Sequence, residues 1–328
     1  MALKKDILIV GAGPAGLVAA INLNREGLNV TVREKQAGVG GEPGWHPSVH
    51  TTPVGIPGLW NYIGIDCSKV FADTSDRCTL NMNGKRMGNI NFKEMGYRVY
   101  NTERGHRETS LDSFLFNIAE KEGVNFEFKD SFTEDDFRNA PKGTILTTGL
   151  SPDVYGWLDI DSSVFAGYWA YSEIEKEHVS AGTYLGSFSN EYGYSAAFNG
   201  IWYVLLFARK EVPQENLDRF KKILEENEGR TFTKWRRFMG RTPKGPRLFY
   251  KDFILSGTLA GFVEPAFGFG ITGALLSGRI SSMAVTNPQK AEAEFKRFAD
   301  GIITHIARKR KEGYAPSVDM GDVWFNVK

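Results

Sequence analysis

The chain opens on a short apolar run, Ile7-Leu8-Ile9-Val10, without polar alternation. Such a run suits a parallel strand buried on both faces. Six residues rich in glycine follow, Gly11-Ala12-Gly13-Pro14-Ala15-Gly16, and then Leu17-Val18-Ala19-Ala20-Ile21, which predicts a helix to about Arg25 stopped by Gly27. A second strand is expected from Asn29 to Arg33, ending on Glu34. Asn125 to Lys129, Gly143 to Gly149 and the start of Lys251 to Gly261 read as further strands of this kind. The pattern changes between about Val164 and Arg209, where aromatic and small residues alternate in short runs such as Ile201-Trp202-Tyr203-Val204-Leu205-Leu206-Phe207. Antiparallel strands with one face on a core and the other on a ligand produce that pattern. Cys78 to Phe92 reads as a hairpin about Asn83-Gly84.

The opening glycines carry a mechanism. Gly11 allows the tight turn, Gly13 lets the backbone approach a pyrophosphate, and Gly16 lets the helix pack closely on the strand. Pro14 sits in the first helical turn, where its missing N–H costs nothing. Free N–H groups and the helix dipole then face a diphosphate. Glu34, eighteen residues after Gly16, ends the second strand and is placed to accept ribose hydroxyls. Strand, glycines, helix, strand and acid occur in order, so a dinucleotide site is expected; either FAD or NAD fits this unit alone.

Composition narrows the class. With 328 residues, 41% hydrophobic and 24% charged, the chain has material for one large or two ordinary domains. A net charge of +1 gives no global field, so nucleic acid is not an expected partner. Cys67 and Cys78 are too few for a disulfide framework or a zinc site and fit a reducing cytoplasm. Lys4 and Lys5 ahead of an apolar run superficially suggest a secretory signal, but the glycines interrupt it, and no apolar segment approaches membrane-spanning length.

A second glycine cluster lies near the other end: Ser256-Gly257-Thr258-Leu259-Ala260-Gly261-Phe262-Val263-Glu264-Pro265, then Gly268-Phe269-Gly270-Ile271 and a helix rich in Gly, Ala and Ser. Gly257, Ala260, Gly261, Glu264, Pro265, Gly268, Gly270 and Ile271 resemble the second FAD motif of the FAD-dependent oxidoreductases typified by geranylgeranyl reductases and aromatic hydroxylases. The resemblance implies FAD, with this strand end on the ribitol chain and the helix start near Gly268 to Thr272 facing the flavin. Where the family has Asp, this chain has Thr258, which can hydrogen-bond a ribitol hydroxyl without charge. Gly268 to Gly273 is itself a GxGxxG string, but it follows a loop instead of a strand, and no strand-ending acid follows it.

The same resemblance places Lys35 and Gly41 beside the cofactor, Arg107 over its diphosphate or ribityl region with Arg104 as competitor, and Gly149 at the end of the strand closing the nucleotide domain. Family members often carry an acid near that glycine, and Thr147-Thr148-Gly149-Leu150 has none. The loop expected to pass the isoalloxazine holds His46 and His50, which are candidates for proton donors; Pro47 breaks the helical spacing that a metal pair would need, so no metal is expected.

Together these features predict an α/β fold: an FAD-binding Rossmann-like parallel sheet formed by 1–75, 97–155 and 248–328, with an inserted antiparallel β-rich substrate domain formed by 76–96 and 156–247. The implied activity is reduction of a carbon–carbon double bond in a prenyl or similar small hydrophobic substrate. A flavin monooxygenase acting on an aromatic substrate, and a flavin-binding protein without turnover, are the alternatives. No separate nicotinamide domain is visible, so the electron donor is either NAD(P)H in transient contact or a ferredoxin-like protein. Arg230 to Arg247 holds seven basic residues and no acid, and Phe295 to Lys311 reads as a basic amphipathic helix. Both are solvated basic faces or points of peripheral membrane contact.

Overall fold

A computed structural model describes residues 5–41, 46–175, 178–264 and 268–304. In chain order the strands are β1 (Asp6–Val10), β2 (Asn29–Glu34), β3 (Ser48–Pro53), β4 (Phe71–Asp73), β5 (Cys78–Met82), β6 (Lys85–Ile90), β7 (Val99–Arg104) and β8 (Asn125–Phe128). They continue with β9 (Ile145–Leu146), β10 (Ser162–Glu173), β11 (Ser180–Leu185), β12 (Tyr192–Phe198), β13 (Ile201–Ala208), β14 (Arg236–Pro243), β15 (Phe249–Tyr250) and β16 (Phe253–Leu255). The helices are α1 (Pro14–Arg25), α2 (Gly58–Ile63), α3 (Leu111–Lys121), α4 (Glu134–Asn139), α5 (Pro152–Leu158), α6 (Gln214–Glu228), α7 (Ile271–Thr286) and α8 (Pro288–Phe298).

The first sheet runs β15-β16-β9-β1-β2-β8 and is parallel except for the β15–β16 edge. Its order reverses between β1 and β9, and open α/β sheets bind ligands at the carboxyl ends of the strands at such a switch. The apolar opening run becomes β1, with Ile9 fully buried between neighbours on both sides. The run expected from Gly143 to Gly149 forms a strand only at Ile145 and Leu146, and Thr147 turns its hydroxyl onto the Val10 and Gly11 carbonyls at 2.9 and 2.7 Å.

The second sheet runs β14-β10-β13-β12-β11-β5-β6 and is antiparallel except where β11 meets β5. The expected hairpin joins β5 to β6 through Asn83 and Gly84, both at positive φ as a two-residue turn requires. Along β13 the two-residue period separates two cores. Trp202, Val204, Leu206 and Ala208 pack with Leu217, Phe220 and Leu224 of α6, whereas Tyr203, Leu205 and Phe207 face the opposite way. A small third sheet, β3-β7-β4, lies between these layers.

Part of the basic stretch becomes the edge strand β14, and several of its cations are engaged. Arg236 lies over the Trp169 ring at 5.5 Å, Arg237 pairs with Glu211 at 2.7 Å, and Lys244 pairs with Asp161 at 2.9 Å. The expected helix from Phe295 to Lys311 is interrupted: α8 ends at Phe298 and a wider π turn spans Ala299–Thr304, while 305–311 lie outside the described residues. No helix among the described residues is long and apolar enough to cross a membrane.

Candidate dinucleotide and substrate cavity

One cavity of about 1470 Å³ lies between the carboxyl ends of the parallel strands and the Tyr203 face of the second sheet. Single-ligand sites are typically about 300–1,000 Å³, so this volume holds a large cofactor with a substrate beside it. The opening glycine loop forms one wall through Gly13, Pro14 and Ala15, and Lys35, just after β2, adjoins it. Gly149 follows β9, and Gly257, Thr258 and Gly261 follow β16 on the same wall. Gly268, Gly270 and Ile271, at the start of α7, complete that end.

The glycines divide by what surrounds them. A Cβ on Gly16 would lie 2.1 Å from the Gly11 carbonyl oxygen, so this position holds helix against strand. A Cβ on Gly13 would meet no protein atom within 4 Å and would project into the cavity. Gly11 sits at φ 105°, and a Cβ there would press on Thr147. The two distant clusters touch: a Cβ on Gly257 would lie 3.2 Å from the Ala15 methyl, and one on Gly278 would lie 2.5 Å from the Ala15 carbonyl oxygen. Small residues on α7 thus let α1 and α7 converge, and both helix N-termini open on one cavity. A groove that a side chain would fill, bounded by two helix starts, fits an elongated dinucleotide.

Four expected contacts lie off the wall. Gly11 and Gly16 shape the corner from inside. Glu34 ends β2 as expected, but its carboxylate accepts hydrogen bonds from the Ala12 and Gln36 N–H groups at 2.8 and 2.9 Å. Arg107 turns toward β7 and the second sheet: its Nε is 3.3 Å from Glu103 Oε1, and its Nη2 donates to the Asn199 carbonyl at 2.9 Å. Of the two candidates, Arg104 is the one on the wall, held by Asp112 through Nε–Oδ2 and Nη2–Oδ1 contacts of 2.6 and 2.8 Å. Pro265 lies outside the described residues.

Both histidines reach the cavity, as does Gly41, and their environment is specific. His46 Nδ1 and His50 Nε2 each lie 2.8 Å from Ser48 Oγ. The His50 ring stacks on Tyr203 with centroids 5.9 Å apart. Each imidazole is partly exposed and lines the cavity. Burial, helped by the Arg104 guanidinium, pushes both down to about 3, so both are neutral at neutral pH. Burial also works against ionising Asp112, but Arg104 outweighs it and holds that carboxyl below the usual range. Tyr194, whose hydroxyl is 2.6 Å from the Thr51 N–H, and Tyr203 are held protonated by burial.

Sequence reasoning preferred Arg107 and kept Arg104 as its competitor, and it missed Thr147 as the plug of the glycine loop and Ser48 as the link between the histidines. For Ser48 a signal existed: positions 46, 48 and 50 follow a strand period, and alternate residues of a strand share a face.

Comparison with known proteins agrees with this geometry. A family model for an NAD(P)-binding Rossmann-like domain matches residues 9–43. Digeranylgeranylglycerophospholipid reductase of Methanocella arvoryzae is 24% identical over 332 residues, 86% of this chain and 77% of that protein. Lysine-specific histone demethylase 1 homolog 3 of Arabidopsis thaliana is 25% identical over 223 residues, 52% of this chain; the chain spans only 14% of that protein's length. Among solved structures, a geranylgeranyl bacteriochlorophyll reductase-like protein from Thermoplasma acidophilum superposes with a TM-score of 0.66 at 17% identity, covering 99% of this chain and 94% of that one. A point variant of 2-methyl-3-hydroxypyridine-5-carboxylic acid oxygenase gives 0.64 at 14% identity, covering 98% and 94%. At these identities the structures speak for the fold. Taken together, the chain carries a Rossmann-like dinucleotide-binding unit, shares the fold of the geranylgeranyl reductase-like and oxygenase structures, and is similar over most of its length to a digeranylgeranylglycerophospholipid reductase.

Proposed function

We propose that this chain binds FAD across its two glycine corners and reduces a carbon–carbon double bond of a prenyl or similarly hydrophobic substrate. The observation that carries this reading is the single cavity. Its dinucleotide end is made of glycines and helix starts, and its other wall of Trp169, Tyr203, Leu205 and Phe207 from the second sheet. Those apolar side chains exclude water and match a substrate with no charge at its reacting carbons. Gly13 leaves room for the diphosphate, Thr258 offers a hydroxyl to the ribitol chain, and the α7 start directs its dipole at the flavin end. When bound and reduced, the flavin supplies a hydride. The protein's part is to orient the substrate and hold a proton ready in a dry site. The likeness to the Methanocella reductase over most of both chains supports this choice of substrate class. The electron donor is NAD(P)H or a ferredoxin-like protein.

The test is an absorption spectrum of the pure protein, then anaerobic reoxidation of its reduced flavin with a geranylgeranyl lipid. Return of the oxidised spectrum only when the alkene is present supports the reading. A protein that takes up no flavin overturns it. The oxygenase-like fold favours a second reading, hydroxylation of an aromatic substrate. Substrate-stimulated, oxygen-dependent consumption of NAD(P)H, with no reaction toward the alkene, would select it.

A further inference from the structure

His46 and His50 differ from two isolated candidate acids. Ser48 is 1% exposed, and its hydroxyl lies 2.8 Å from one nitrogen of each ring. A hydroxyl has one proton to donate, so it can donate to one imidazole while accepting from the other. Three groups so connected form a directed chain with its two outer ring nitrogens, His46 Nε2 and His50 Nδ1, at opposite ends. The His46 end lies beside Gly41, where a Cβ would be 3.2 Å from Nε2. The His50 end packs on Tyr203, on the wall assigned to substrate. The charged and titratable groups facing this chain are Arg104, its partner Asp112 and His106. Arg104 disfavours a resting imidazolium, and its own charge is matched by Asp112.

We propose that His46, Ser48 and His50 form one proton relay, carrying a proton from water at the Gly41 side of the cavity to a substrate carbon beside His50. The inference rests on the reductase reading above. In that reaction one alkene carbon receives the hydride, and the π electron pair moves to the other carbon. That carbon takes the proton of His50 Nδ1. The Ser48 hydroxyl proton passes to His50 Nε2, the His46 Nδ1 proton passes to Ser48 Oγ, and a water proton arrives at His46 Nε2, leaving hydroxide. Both rings begin and end neutral, so the relay itself holds no charge, and the hydroxide is left to the water at the Gly41 side. The rings finish in the other tautomer; after product release, water beside His50 returns a proton to Nδ1 while His46 Nε2 gives one up, and the two hydrogen bonds reverse to reset the chain.

A directed chain requires the two rings to carry the same tautomer, both protonated at Nδ1 or both at Nε2. Nitrogen NMR of the FAD-loaded full chain labelled at histidine reads this without turnover. Matched neutral tautomers that become independent in Ser48→Ala support the relay; opposite tautomers in the unaltered protein overturn it. In the reoxidation assay, Ser48→Ala is expected to slow alkene-dependent flavin recovery about 100-fold, within the usual worth of a positioned proton donor. FAD uptake should be retained and Ser48→Thr should restore the rate. The multi-proton solvent isotope dependence of the unaltered protein should become single-proton. An unchanged rate in Ser48→Ala with FAD bound overturns the relay. A chain holding FAD and matched tautomers that reduces no alkene overturns the reductase reading and the delivery step together. Opposite tautomers in a chain that does reduce alkenes overturn the relay alone.

Discussion

Gly13 and Gly16 stand three residues apart in one loop and answer to different demands, which makes Ala substitutions at the two positions a direct test of the cofactor site. Gly13 has φ −78° and ψ 176°, a conformation alanine adopts freely, and its Cβ would touch nothing in the protein. Gly13→Ala is therefore expected to leave the cofactor-free fold unharmed, or stabilise it by about 0.4–1 kcal/mol through the unfolded chain. The new methyl projects into the groove where a diphosphate would meet the α1 N–H groups. Loss of one charge-assisted hydrogen bond there costs about 1.5–3 kcal/mol, or roughly 10- to 100-fold in FAD affinity. Gly16→Ala behaves in the opposite way. Its Cβ would lie 2.1 Å from the Gly11 carbonyl oxygen and 2.8 Å from Thr147 Oγ1. Backbone cannot rotate away, so the cost falls at about 3 kcal/mol or more, lowering the melting temperature by roughly 5 °C or more. Thermal unfolding by circular dichroism without FAD, paired with fluorescence titration by FAD, separates the two. FAD binding by Gly13→Ala equal to that of the parent would refute the placement of the diphosphate. A large drop in its cofactor-free melting temperature would refute the claim that the position is open.

Three further outcomes follow from the same geometry. Unfolding frees His46 and His50 to take protons that the fold excludes until about pH 3. Between the unfolded value near 6.5 and about 3, the unfolded chain therefore binds more protons, and stability should fall as pH falls, by up to about 1.4 kcal/mol per pH unit for each ring. Urea unfolding at pH 7 and pH 4.5 measures this, and His50→Gln should flatten the slope. Asp112→Ala leaves Arg104 on the cavity wall without its fully buried partner and should cost about 3–5 kcal/mol, read as a loss of melting temperature; an unchanged melt would mean the pair is dispensable. Thr258→Asp restores the acid seen in the resembled motif at a half-exposed wall position, and should slow FAD loss on dialysis roughly tenfold, a charged acceptor adding about 1.5 kcal/mol; faster loss would place Thr258 away from the ribitol chain.

The residues show how far the one-dimensional pattern reaches. The strand–glycine–helix–strand–acid unit was legible because every decision in it is local: apolar run, turn, cap and strand end lie within 6–34. The turn at Asn83-Gly84 was legible for the same reason. The arginine on the wall was not. Arg104 and Arg107 are equal by composition, and only the pairing of β7 with β3 and the buried Asp112 turn one inward and the other toward Glu103. The strand at Ile145-Leu146 is shorter than the expected 143–149 span, and just beyond it the Thr147 hydroxyl bonds the glycine loop, a partner 136 residues away.

By itself the sequence determined the nucleotide corner, the presence of a second glycine cluster and the aromatic alternation, since backbone freedom and two-residue periodicity are properties of neighbours along the chain. Only the tertiary structure decided that the two clusters meet at Ala15, that the aromatic face of β13 closes the same cavity, and that His46, Ser48 and His50 join through one hydroxyl. Each of those depends on distances between segments far apart in the chain, which packing sets and local propensity does not encode.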